Sequence, residues 1–372
     1  MKVYLDNGAT TKVADEVLKE MEPYFLNKYG NASSLHEFGR EAKEALEKSR
    51  EIIAKKINAD KDEIIFTSGG SESNNLVLQG LGKGHIITTK IEHPSILETC
   101  KYLEENGFKV DYLGVNKEGF VDLNELEDKI NDKTLLVSIM HANNEIGTVQ
   151  DLKKIGEICK KHDVLFHSDA VQSFTKEDID VKKMNLDLVS LSSHKIHGPK
   201  GIGALYVRKD LKLDKLLHGG HHEFDLRAGT ENIPGIVGFA KASSLIKKED
   251  IKKIRILRDK LIKELLKIEN TQLNGSKNRL CNNVNIAFNF IEGESLLLHL
   301  DNKGIAVSTG SACSSQSLEP SHVLLAIGLK HEIAHGTIRF TLSKYINEKD
   351  IDYTIKCVKE IVENLRRISP LK

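Results

Sequence analysis

The sequence has no net charge, no long apolar run, no paired-cysteine motif and no internal repeat, and each absence removes a class of protein. Its 372 residues balance 54 lysines and arginines against 54 aspartates and glutamates. Such a chain offers no electrostatic reason to take nucleic acid or a membrane surface as its main partner. Its apolar stretches, such as residues 135–137, fall far short of the roughly 18 residues that span a bilayer. The N-terminus turns polar at Asp6, too early for a secretory leader. The cysteines, at positions 100, 159, 281, 313 and 357, are scattered and odd in number, with no C-x-x-C pair. That argues against a disulfide framework and for the reducing cytoplasm. What remains is a globular cytoplasmic chain long enough to bury a large core.

The apolar residues that are present alternate between two periods. Phe38, Ala42, Ala45, Leu46, Ile53 and Ile57 recur at helical spacing, with Ser33 and Ser34 available as N-caps. A β-rich run at 63–67 follows and ends at Ser68-Gly69-Gly70. Up to about residue 207, apolar runs at 85–89, 109–113, 135–139, 164–167, 186–191 and 203–207 read as strands. Helical stripes such as Leu152, Ile155, Ile158 and Cys159 lie between them. This pattern predicts an α/β fold built around a mostly parallel sheet. Residues 242–268 read as one long lysine-rich helix, solvated on its charged face. Beyond it, short strands at 283–289 and 336–342 suggest a second, smaller domain beginning near residue 255.

Ligands of open α/β sheets bind beyond the carboxyl ends of the strands, so the residues that follow each strand carry the chemical information. The first strand is followed by Gly69-Gly70-Ser71 at a helix start, where free N–H groups can receive a phosphate. Taken alone, this is an ordinary turn. The second is followed by Glu92-His93-Pro94, the third by His141-Ala142-Asn143-Asn144, the fourth by Asp169 and Gln172, and the fifth by Ser192-Ser193-His194-Lys195. A single one of these would read as structure: an exposed lysine, a structural histidine. Five at one rim point to pyridoxal phosphate (PLP). That cofactor needs a lysine for its imine, an acid for its ring nitrogen, a phosphate cup and a group to stack on the ring.

Several longer motifs resemble the class V aminotransferase superfamily, of PLP fold type I. They are Asp6-Asn7-Gly8-Ala9-Thr10-Thr11, Ser68-Gly69-Gly70-Ser71-Glu72-Ser73-Asn74-Asn75, Asn143-Asn144-Glu145-Ile146-Gly147, Ser193-His194-Lys195-Ile196-His197-Gly198 and Arg227-Ala228-Gly229-Thr230-Glu231-Asn232. More narrowly they resemble cysteine desulfurases of the nitrogen-fixation and iron–sulfur-cluster-assembly type, over essentially the whole chain. The resemblance implies a large PLP-binding domain at 15–255. A smaller α/β domain, formed by 1–14 and 256–372, would carry a cysteine loop. It also implies roles. Lys195 would form the Schiff base and move the Cα proton, Asp169 would pair with the pyridine nitrogen, and His93 would stack on the ring. Asn144 and Gln172 would hydrogen-bond the ring hydroxyl or the substrate. Gly70, Ser71, Ser192 and His194 would hold the phosphate, joined by Thr230 from the other subunit of a homodimer. Arg339 would grip the substrate carboxylate, an anion its planar fork matches.

Lys195 does not choose the reaction, because the superfamily also holds transaminases. Cys313 does. It sits in Ser308-Thr309-Gly310-Ser311-Ala312-Cys313-Ser314-Ser315, a composition that predicts a mobile loop. Cys100 and Cys159 lie instead on apolar helical stripes. An accessible thiol in such a setting suits a nucleophile. The implied reaction converts L-cysteine to L-alanine and leaves sulfur on Cys313 as a persulfide, for an iron–sulfur scaffold or another acceptor. No resident metal is expected, although Cys313 could touch a metal or cluster transiently. The resemblance leaves a selenocysteine-lyase-type activity open.

Some features depart from the family or compete with it. Ser71 stands where many relatives carry threonine, which keeps the hydroxyl. His221, in His218-Gly219-Gly220-His221-His222-Glu223, is unusual. The chain stops at Lys372 without the tail that assembly-type relatives use to dock a scaffold, which leaves the acceptor open. His331-Glu332-Ile333-Ala334-His335 is a literal H-E-x-x-H zinc motif. Gly336 follows at once, so the predicted helix ends at the second histidine. A degenerate sulfur carrier without catalysis is the non-enzymatic alternative, and intact Lys195, Asp169 and Cys313 argue against it.

Overall fold

The structure is a computed structural model that describes residues 1–309 and 320–370. Its main sheet has seven strands: β1 Ile64–Thr67, β2 His85–Thr89, β3 Lys109–Leu113, β4 Thr134–Ser138, β5 Leu165–Asp169, β6 Leu188–Ser192 and β7 Gly203–Val207. They lie in the order β1-β7-β6-β5-β4-β2-β3. Only β7 runs against its neighbours, and all other pairings are parallel. The mostly parallel sheet is therefore present, and one rim collects the carboxyl ends of every strand except β7.

The strands are buried on both faces, as a sheet covered by helices on each side requires. Alternate residues serve opposite sides. Ile87, Val137, Phe166 and Val189 join an apolar cluster with Ala42, Ile53 and Phe239, from the Glu37–Lys56 and Ile233–Leu245 helices. Ile86, Leu136, Leu188 and Leu205 face the other way, onto Leu76 and Ile96 of the Gly70–Gly80 and Pro94–Glu105 helices.

A separate apolar cluster surrounds a three-stranded antiparallel sheet with Asn283–Phe288 (β9) between Thr271–Leu273 (β8) and Thr337–Thr341 (β10). The Lys248–Leu265 and Glu348–Ile368 helices cover it. Val3 and Leu5 are buried in this cluster too, and Val3–Tyr4 pairs with Ile305–Ala306. The N-terminal segment thus belongs with the C-terminal third and passes between the two sheets.

Three local expectations need correction. Residues 242–268 are not one helix: Ile233–Leu245 ends where Ile246 turns extended, and Lys248–Leu265 starts anew. Asp250 Oδ2 accepts from the Lys247 amide and caps the second start. The amphipathic pattern runs across this break because both helices bury apolar residues. Nor do Ser33 or Ser34 cap the Glu37–Lys56 helix; the His36 ring nitrogen accepts from the Gly39 amide. Finally, Phe38 is 48% exposed and stacks near Tyr29 rather than joining the core stripe.

Candidate active site

Each strand end at the shared rim delivers one kind of group. β1 turns through Gly69 into the Gly70–Gly80 helix, whose first residues face the rim. A side chain on Gly70 would sit 2.7 Å from Val171, so only glycine lets the helix start lie this close to β5. After β2, His93 caps the Pro94–Glu105 helix, its Nδ1 accepting from the Ser95 amide at 3.1 Å. β5 ends at Asp169, and β6 runs into the single helical turn Ser193–Lys195.

These ends enclose a cavity of about 620 Å³, within the range of small-molecule sites. Gly70, Ser71, His93, Asn144, Asp169, Gln172, Ser192, His194, Lys195 and Arg339 all line it. Thr230 does not; it is exposed on the chain after Ala228. Cys313 lies outside the described residues. The chain on either side of it reaches the site: Ser308 bridges to Arg339, and Pro320, Ser321 and His322 line the cavity.

The N-terminal segment closes one side. Lys195 Nζ donates to the carbonyls of Gly8 at 2.6 Å and Ala9 at 2.7 Å. Gln172 Nε2 donates to the same Gly8 carbonyl at 3.0 Å. The His194 ring meets Thr10 Oγ1 at 3.2 Å. Arg339, 2% exposed, donates to Asp6 Oδ1 at 2.9 Å and to the Asn144 carbonyl at 3.0 Å. Its Nε is buried without a partner.

Burial sets the charge states. It pushes His93 below the usual imidazole range, with Asp169 opposing and Lys195 reinforcing. His194 is pushed down to about 4 by burial and by Lys195. Two carboxyls go the other way. Burial lifts Glu145 to about 7 against the Ser321 hydroxyl and Arg339, and Glu92 to about 8 against the Met140 amide and the Thr89 hydroxyl. The histidines are thus neutral near pH 7 while both glutamates are at least partly protonated.

Asp169 is 6% exposed. Its Oδ1 accepts from the Val171 amide at 2.9 Å and its Oδ2 from Asn74 Nδ2 at 2.8 Å. A fixed, buried carboxylate across a cavity from a lysine, with an open helix start nearby, fits the three polar demands of pyridoxal phosphate. The glycine-only cradle at Gly70 fits the close approach of a phosphate.

Several contacts were not apparent in the sequence. Asn74 lies inside a quoted motif without an expected role, and Ser95 lies outside every quoted motif. Ser321 donates to Glu145 Oε2 across 176 residues, and Asp6 meets Arg339 across 333. No local pattern announces either pair. The H-E-x-x-H segment forms the helix His331–His335 with Gly336 at its end, and both histidines are exposed. Among the described residues, no three His, Cys, Asp or Glu side chains are grouped so as to hold a metal ion. His221 joins Asp225 at 2.9 Å, far along the chain from the cavity lining.

A parallel-sheet rim with lysine, carboxylate and imidazole around one cavity defines a pyridoxal-phosphate fold. The chain matches the aminotransferase class-V family over residues 3–354 and belongs to it, a family dependent on that cofactor. A relative named cysteine desulfurase IscS, from Dictyoglomus turgidum, is 51% identical over 382 residues, covering 100% of this chain and 97% of its own length. A solved structure titled NifS-like protein superposes with a TM-score of 0.93 at 42% identity, covering 98% of this chain and 100% of its own. Another, titled SspA in complex with cysteine, gives a TM-score of 0.85 at 40% identity, over 93% of this chain and 100% of its own.

Proposed function

We propose that this chain is a cysteine desulfurase that converts L-cysteine to L-alanine and carries the sulfur away as a persulfide on Cys313. The observation that carries the reading is the convergence of Lys195, Asp169, His93 and Arg339 on one cavity. Pyridoxal phosphate, when bound, supplies an electron-withdrawing ring that makes the substrate Cα proton acidic. Lys195, which lines the cavity, would take that proton and return one. Asp169 would pair with the ring nitrogen, its carboxylate oriented by hydrogen bonds from Asn74 and the Val171 amide. His93 stacks on the ring, while Asn144 and Gln172 hydrogen-bond the ring hydroxyl or the substrate. Gly70, Ser71, Ser192 and His194 hold the phosphate. Arg339 binds the substrate carboxylate, with Asp6 and the Asn144 carbonyl fixing the guanidinium plane.

The thiolate of Cys313 forms an S–S bond to the substrate sulfur as the substrate Cβ–S bond breaks. The carbon keeps the electron pair and is protonated on the way to alanine. Pro320, Ser321 and His322 on one side of the Cys313 segment line the cavity, and Ser308 on the other bridges to Arg339, which supports this assignment. We place residues 15–255 in a PLP-binding domain, and 1–14 with 256–372 in a smaller one, a division supported by the separate apolar clusters. A homodimer would bring Thr230 to a partner's phosphate. The exposed Phe25, Leu26, Tyr29 and Leu35 offer an apolar surface for it. The acceptor would be an iron–sulfur scaffold or another sulfur-accepting protein, in the cytoplasm.

The test uses the purified full chain: imine absorbance is recorded, then sulfide and alanine are assayed after L-cysteine and a reductant are added. Both products should appear in equal amounts, and Cys313→Ser should stop sulfide release. Sulfide released at the normal rate by Cys313→Ser would overturn the desulfurase reading. Imine absorbance unchanged in Lys195→Ala would overturn the role of Lys195.

A further inference from the structure

Two groups assigned to the cofactor, the Asp169 carboxylate and the His93 imidazole, are not independent. Asn74 is 1% exposed and uses both hydrogens of its amide. Its Nδ2 donates to Asp169 Oδ2 at 2.8 Å and to Ser95 Oγ at 2.8 Å. The orientation of the amide follows from the carboxylate, because the flipped form would set an oxygen against Asp169. Ser95 Oγ lies 2.8 Å from His93 Nδ1. Since Ser95 Oγ accepts from Asn74, its own proton is directed at the imidazole. The Ser95 backbone amide also donates to that nitrogen, at 3.1 Å.

A ring nitrogen that accepts from a backbone N–H cannot carry a proton itself. His93 is therefore held as the neutral tautomer with its proton on Nε2. The titratable groups that face it are Asp169, Lys195 and His322. Asp169 favours the imidazolium, and the other two oppose it.

We propose that Asn74 is a positioning residue that, through the Ser95 hydroxyl, couples the hydrogen bonding of His93 Nδ1 to the orientation of Asp169. One amide thereby holds both the acid beneath the ring nitrogen and the imidazole that stacks on the ring. The inference rests on the cofactor reading above. It adds that a change at Asn74 disturbs both groups at once, whereas a change at Ser95 reaches His93 alone. Asn74 works through its neighbours.

The experiment uses the full-length holoenzyme with ¹⁵N-labelled histidine, the His93 resonances being identified by their loss in His93→Gln. The first readout is the tautomer and titration of His93 by NMR. The second is the pH at which the bound imine's absorbance titrates without substrate. In the wild type, His93 should show the Nε2–H tautomer and titrate below a free imidazole. Ser95→Ala should raise the His93 titration toward the ordinary value and leave the imine midpoint in place, because the Asn74–Asp169 contact survives. Ser95→Thr should restore the wild-type His93 behaviour. Asn74→Ala should move both readouts, the imine midpoint by about one pH unit, the equivalent of one charge-assisted hydrogen bond. Should Asn74→Ala fail to fold, the contrast between Ser95→Ala and Ser95→Thr still decides. An unmoved His93 titration in Ser95→Ala overturns the proposal, as does an unmoved imine midpoint in a folded Asn74→Ala. Either result with imine absorbance intact leaves the cofactor reading standing. Absence of that absorbance from the wild type would overturn the cofactor reading instead.

Discussion

The two sheets contribute to the cavity in different ways. The seven-stranded sheet supplies chemistry from its strand termini: Asp169 ends β5, Lys195 follows β6, and His93 follows β2. The three-stranded sheet supplies Arg339 from the middle of β10, paired with Asn285 across the ladder. A parallel sheet buried on both faces has no exposed mid-strand position, so its polar groups must sit at the ends. An antiparallel sheet covered by helices on one side can turn a mid-strand side chain toward a neighbouring unit. The first arrangement gathers several groups whose mutual geometry is set by one rigid sheet. The second places a single long cation whose aim depends on Asp6 and Asn144, from other parts of the chain.

The comparison can be broken at several points, and the largest expected effect is at the rim. Asp169→Asn keeps the shape but removes the carboxylate proposed to pair with the ring nitrogen. Turnover should fall about 10²–10³-fold, with KM for L-cysteine nearly unchanged, as steady-state kinetics would show. Arg339→Lys attacks the small sheet's contribution. It keeps the charge but loses the planar fork, so KM should rise roughly 10- to 100-fold while kcat changes less. A large kcat loss with unaltered KM would mean that Arg339 serves the chemistry rather than carboxylate binding.

A smaller effect should come from Glu92, behind the rim. Burial holds its proton in the fold up to about 8, against 4.5 for an ordinary carboxyl. The folded value is the higher one, so this group's contribution to stability is full below the unfolded value and is lost as pH rises through about 8. Glu92→Gln keeps an acceptor for the Met140 amide and the Thr89 hydroxyl but cannot ionise. Its urea midpoint relative to wild type should therefore improve from pH 6 to pH 9, and a constant difference would show that Glu92 is charged in the fold. The smallest effect is expected outside both sheets' sites. His331→Ala and His335→Ala should each change stability by less than about 0.5 kcal/mol, with activity and metal content unaltered, by urea titration and metal analysis.

Much of this was legible in the sequence because it is local. Strands buried on both faces read as near-continuous apolar runs, and a polar cluster after each run marks the rim. That was enough to nominate Lys195, Asp169 and His93, and of the ten nominated residues that line the cavity all but the mid-strand Arg339 lie next to such signals or within quoted motifs. The misreadings were local as well. Apolar periodicity cannot show that the chain bends at Ile246, because both helices bury their stripes. A histidine side chain can cap a helix as a serine does, and so His36 took the place expected of Ser33 or Ser34.

By itself, the sequence determined the types of chemical group and the strand ends that carry them, since both follow from residue identity and short-range periodicity. The tertiary structure alone decided how those groups are tied together. Asp6 meets Arg339, Ser321 meets Glu145, and Asn74 links Asp169 to Ser95 and His93. Apart from the neighbours Ser95 and His93, the directly bonded partners lie between 21 and 333 residues apart. A hydrogen bond acts over about 3 Å of space and is indifferent to sequence distance, so only the packing of the two sheets around the N-terminal segment brings such atoms within reach.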